Sequence, residues 1–146
     1  MGCTPFSVLV ADRVFLLVKK LNLAVKPVSK TLRSREFVKV SSLNVYPAKG
    51  NELKVLGLIA KEVDLAVNEH LSGRGEVIRL RVNGEIIDSG VKSFLVEGGF
   101  VYEVYCFKCF ANAFIRVILE KSLQTGERWI SVDVDEVVGS PWFKEE

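Results

Sequence analysis

Apolar residues recur every three or four positions near the start of the chain, where Phe6, Val10, Val14, Leu17 and Leu21 would share one side of a helix. Thr4 offers a hydroxyl N-cap and Pro5 a first helical position whose missing N–H costs nothing. With Asn22 as a stop, the spacing predicts a helix over 5–21; a hairpin turning at Asp12 and Arg13 is the alternative. The clearest helical period runs from Asn51 to Leu71, with Ser72 and Gly73 closing it. Its expected buried stripe is Leu53, Leu56, Ala60, Val63 and Val67. Leu58 and Leu65 fall seven apart on the polar side with Lys54, Lys61 and Glu69, where a partner surface could lie.

Between these helices the pattern changes. Residues 24–35 (AVKPVSKTLRSR) have a proline, several hydroxyls and no apolar period, and read as a loop. EFVKV and SLNVYP then read as an extended segment ended by Pro47, with Arg35, Phe37 and Lys39 on one face and Val38 and Val40 on the other. After Gly75 the chain reads as antiparallel strands. Asn83-Gly84 suits a two-residue type I′ turn, and that hairpin would set Val82 opposite Glu85, Leu80 opposite Ile87 and Arg79 opposite Asp88. A second hairpin would turn at Gly98-Gly99 and a third at Gln124-Thr125-Gly126. The segment 110–122 could be a buried helix, but its β-branched content and the regular turn spacing favour a strand.

These elements predict an α+β fold: a curved antiparallel sheet of about six strands packed on one long central helix, with an additional N-terminal helix. The length of 146 residues and 49% hydrophobic content suit a single domain over 1–146 with one substantial core. The longest apolar stretch, Phe6 to Val18, is broken by Asp12 and Arg13 and falls short of the ~20 residues of a membrane span. It also lacks the flanks of a signal peptide, so a cytoplasmic protein with no membrane partner is expected. One glutamine and one methionine beside abundant Val, Lys, Arg and Glu point to a thermophilic source.

Charge adds a further distinction. From Lys19 to Lys49 eight cations meet one carboxylate, Glu36, although the net charge of the whole chain is only +2. A basic segment with an aromatic on its strand face offers cations for phosphates and a ring for stacking. The candidate nucleic-acid-binding residues are therefore Lys26, Lys30, Arg33, Arg35, Phe37 and Lys39. A solvated basic face pairing with the acidic C-terminal part is the plain alternative.

Cys106 and Cys109 form a Cys-x-x-Cys pair. Structural zinc wants four N or S ligands. Cys3 and His70 would complete such a set, using every cysteine and histidine in the chain. Against this, residues i and i+3 of a strand project to opposite faces, and no glycine follows Cys109 to make a tight turn. Buried unreactive thiols are the leading reading, with a disulfide or a metal as the alternatives; His70 reads as a core or capping residue in the last turn of its helix. No metal or cofactor is assigned. Asp133 and Asp135 share a strand face and could hold Mg²⁺, but no base or phosphate loop accompanies them. GxGxxG, P-loop, GxSxG and HExxH motifs are absent from the sequence.

The expected function is thus a non-enzymatic binding module contacting RNA or single strands through the segment 19–49. The alternative is a homodimeric protein-interaction or small apolar ligand-binding protein, with Leu58 and Leu65 as its interaction surface.

Overall fold

A computed structural model describes residues 4–28, 38–88 and 90–138. Among them the order is α1 (Phe6–Leu21), β1 (Ala24–Pro27), β2 (Val38–Tyr46), α2 (Glu52–Leu71), β3 (Gly75–Val82), β4 (Glu85–Asp88), β5 (Ser93–Cys106), β6 (Ala111–Ser122) and β7 (Arg128–Val138). The fold is α+β, with every strand pair antiparallel in the order β1-β2-β7-β6-β5-β3 and β4 also on β5. No helix among the described residues is long and apolar enough to cross a membrane.

Alternation along the strands explains the core. Leu43 and Val45 of β2, Ile130, Val132 and Val134 of β7, and Ala113, Ile115, Val117 and Leu119 of β6 all point to the helix side. There they meet Phe6, Val10, Val14 and Val18 of α1 and Leu56, Ile59, Val63 and Val67 of α2. Tyr102 of β5 is fully buried against α2 and donates its hydroxyl to the Ala60 carbonyl at 3.3 Å. This burial raises its phenol pKa well above the ordinary value. Arg13 of α1 reaches Glu62 at 3.5 Å and also pairs with Glu69, tying the two helices along their exposed side.

Both helices form where the periodicity places them, but the way they bury their faces differs from expectation in two respects. Leu53, expected in the buried stripe of α2, is 72% exposed. The helix packs on α1 as well as the sheet, so its buried face widens and rotates toward Val55, Ile59, Ala66 and Leu71. At α1, Pro5 rather than Thr4 occupies the N-cap and gives no side-chain hydrogen bond. The cap comes from far along the chain: Glu136 of β7, 1% exposed, accepts from the amides of Phe6 at 2.9 Å and Ser7 at 2.7 Å. No acidic residue lies in the first turn of α1, so this carboxylate answers the positive end of the helix dipole.

The strand connections also depart from the sequence reading. Residues 24–27, read as loop, form β1 against β2. The Asn83-Gly84 pair does not make a hairpin: β3 and β4 lie end to end along the same edge of β5, and the Gly84 amide bonds the Val96 carbonyl at 2.7 Å. Arg79 consequently faces Tyr102 in register and pairs with Asp64 of α2 at 3.2 Å instead of Asp88. Gly98-Gly99 is likewise no turn but a bulge inside the fourteen-residue β5, with the register slipping between Val96 and Gly98. A Cβ at Gly99 would stand 2.3 Å from the Val117 carbonyl oxygen, so backbone contact requires glycine there. A long β5 offers more pairing than two short hairpins would, and it overrides both local turn preferences. The third expected turn is present between β6 and β7, and 110–122 is strand apart from its first residue.

Glu136→Ala would strand two buried amides, and the expected loss is roughly 2–4 kcal/mol by urea unfolding. A loss within about 0.5 kcal/mol of zero, the range of ordinary surface changes, would mean that solvent caps the helix instead.

Candidate functional site

The helices cover one face of the sheet, so the alternate strand residues form a second face with no helix over it among the described residues. At one end of that face Tyr46 of β2, Trp129 of β7 and Phe94 of β5 are half-buried and line a cleft of about 370 Å³ with Asn44, Lys92, Ser122 and Gln124. Trp129 and Phe94 meet edge to face with ring centroids 5.3 Å apart. Lys26 places its ammonium 5.4 Å from the centre of the Tyr46 ring. The floor is tied together by hydrogen bonds: the Trp129 indole donates to the Ser131 hydroxyl at 3.2 Å, and that hydroxyl lies 3.3 Å from Asn44 Oδ1. These bonds fix the indole while leaving part of each ring accessible.

Acidic groups continue the same face. Ser42 donates to Asp133, and Asp135 is exposed beyond it. Glu120 opposes Trp129 in register, and burial raises its carboxyl pKa; Asp133 adds to the rise, while a hydrogen bond to Ser131 and the charge of Arg116 work against it. The face therefore divides into an aromatic end near Lys26 and Lys92 and an acidic stretch along β7.

A second cluster lies on the helix side. α2 ends at Leu71, and the chain enters β3 at Gly75, which pairs with Cys106, the last residue of β5. A Cβ on Gly75 would stand 2.1 Å from the Tyr105 carbonyl oxygen and 2.5 Å from Leu71, so the missing side chain lets the end of α2 settle directly on β5. That close approach carries His70 over the β5–β6 turn. Its Nε2 is 3.3 Å from Cys109 Sγ, and its ring centroid is 4.4 Å from that of Phe6. Burial lowers the imidazole pKa; the charge of Glu136 opposes this and that of Lys108 adds to it. Cys106 is a buried free thiol, and Cys109 is disulfide-bonded.

The residues expected from sequence divide accordingly. Lys30, Arg33, Arg35 and Phe37 lie outside the described residues, and Lys39 is placed in β2 by its backbone alone. Lys26 is exposed and joins the aromatic end. Leu65 is 46% exposed and Leu58 half-buried. Sequence reasoning missed Tyr46, Phe94 and Trp129. Parity held a signal, since Trp129 shares its strand face with Asp133 and Asp135, but the neighbours across strands depend on a sheet order that no local pattern encodes.

No family model, curated protein or solved structure matches this chain.

Glu120 has a folded pKa above the unfolded value, so its ionisation opposes folding as the pH rises past the ordinary carboxyl range. Glu120→Gln is expected to unfold at a higher temperature than the parent at pH 7, with the gap closing below about pH 4, where both states of the parent are protonated. Equal melting temperatures at both pH values would show that the carboxylate is solvated in the folded protein.

Proposed function

We propose that this protein is a non-enzymatic module that binds single-stranded nucleic acid, RNA foremost, on the uncovered end of its sheet. The observation that supports it best is the grouping of Tyr46, Phe94 and Trp129 around one cleft with Lys26 and Lys92 beside them. Flat rings give bases a stacking surface that tolerates any sequence, and the two ammonium groups suit the backbone that joins those bases. Asn44 and Gln124 add amide groups that can meet base edges. The same chain segment that carries Lys26 continues through Lys30, Arg33 and Arg35, adding positive charge by sequence. Asp133 and Asp135 repel phosphate and would confine the strand to the aromatic end.

Self-association is the competing reading. Phe15 and Leu16 of α1 and Leu53 and Leu65 of α2 are each more than a third exposed, which is apolar surface a second protein could cover.

Both readings meet in one experiment: anisotropy of a labelled eight-nucleotide oligouridylate, with the molar mass of the free protein measured in parallel. Trp129→Ala is expected to weaken binding about tenfold, within the range of a lost base stack. Lys26→Gln with Lys92→Gln should lower the salt slope by about 1.4, since each single-strand phosphate contact contributes about 0.7. Affinity indifferent to Trp129, or no binding at low salt, removes the nucleic-acid reading. A doubled mass in that case favours self-association.

A further inference from the structure

We propose that His70, Cys106 and Cys109 form a structural zinc(II) site in the reduced protein. The chain has one histidine and three cysteines, and the fold brings the histidine and two of the cysteines to one corner. Their ligand atoms all lie within 4.8 Å of one another, and Cys109 Sγ is 3.3 Å from His70 Nε2. Around tetrahedral zinc, bond lengths near 2.3 Å to sulfur and 2.0 Å to nitrogen put neighbouring ligand atoms about 3.5–3.8 Å apart. Separations of at most 4.8 Å leave little movement between the present positions and such a tetrahedron.

The backbone supports the same assignment and removes the objection raised from sequence. Cys106 and Cys109 do not sit on one strand: Cys106 closes β5, residues 107–110 form the turn, and Ala111 opens β6. The chain reverses between the two cysteines, so both sulfurs face the same corner. Phe110 performs the turn that a glycine would ease, holding φ at 51° in the left-handed region. A bulky residue is rarely found there, and such strain persists where surrounding contacts impose it. The Arg74 carbonyl accepts from the Phe107 amide at 2.9 Å, fixing the turn to the end of α2 that carries His70.

The disulfide at Cys109 must open first. A dithiol supplies two electrons and two protons, closing its own sulfurs into a disulfide and leaving Cys109 and its partner as thiols. Zinc(II) then replaces the protons of Cys106 and Cys109, which pass to solvent, while neutral His70 donates its nitrogen lone pair. A borderline-soft ion with no redox chemistry suits this mixed imidazole and thiolate set. The fourth position is left to water. This site stands independently of nucleic-acid binding, and its failure would leave that reading untouched.

The test uses the full chain, purified with excess dithiol and without chelator. One zinc per chain by elemental analysis is expected. Replacing zinc by cobalt(II) should give the absorption of a tetrahedral cobalt–thiolate centre. His70→Ala and Cys106→Ser should each reduce metal content at least tenfold; if either fails to fold, the cobalt spectrum of the parent carries the test. Folded, fully reduced protein with less than a tenth of an equivalent of zinc and no cobalt absorption overturns the proposal. So does a Cys109 disulfide that survives the dithiol while no metal is taken up.

Discussion

The carboxylate of Glu136 is the contact on which the arrangement of layers depends. It is almost completely buried, and it satisfies the first amides of α1 from the far end of the chain. A helix that follows a Pro5 cap and carries no acid in its first turn has nothing local to answer its first N–H groups. The sheet supplies what the helix lacks. Because Glu136 sits among the helix-side residues of β7, opposite Ala113 of β6, the cap anchors α1 to one face of the sheet. Phe6, whose amide it caps, meets the ring of His70 of α2 at a tilt, so the same anchor extends to the second helix.

One consequence is a molecule with two unlike faces. The helix side is filled by valines, leucines and isoleucines of alternating strand positions and has almost no polar group beyond the Glu136 cap and the Tyr102 hydroxyl. The other side carries aromatic rings, hydroxyls and carboxylates joined by a hydrogen-bonded row through Asn44, Ser131 and Trp129. Two residues there, Val96 and Ile118, are fully buried, with neither α1 nor α2 on their side of the sheet. Ile118 pairs with Gly99 at the β5 bulge, where the missing side chain lets strands β5 and β6 close on one another. The bulge and the aromatic cleft both lie on β5, which carries Phe94 on one side of the irregularity and Gly99 on the other.

Sequence periodicity was sufficient for the elements that bury a regular stripe. Both helices, the α+β class and the hairpin of β6 and β7 follow from spacing alone. Turn chemistry misled where tertiary pairing outweighed it: Asn83-Gly84 and Gly98-Gly99 have strong turn propensities, yet both align beside the continuous pairing of β5. The cap on α1 was illegible because its partners are 129 and 130 residues apart. The cysteine corner was half legible. The spacing and the stock of possible ligands were visible, but a strand reading of 105–110 turned the two sulfurs away from each other, where the structure folds them together. Of the six candidate binding residues, Lys26 is the one whose side chain falls among the described residues, and its neighbour Tyr46 came from the sheet order, not from the charge pattern.

The central claim is that the helix-covered face is sealed and that the aromatic end of the opposite face meets the ligand. An aromatic and amide NMR titration with oligouridylate tests it most directly. Shifts concentrated at Tyr46, Phe94 and Trp129, with the core residues Val10, Ile59 and Val63 unmoved, are the expected result. Shifts centred on α1 and α2 with Trp129 silent would contradict it.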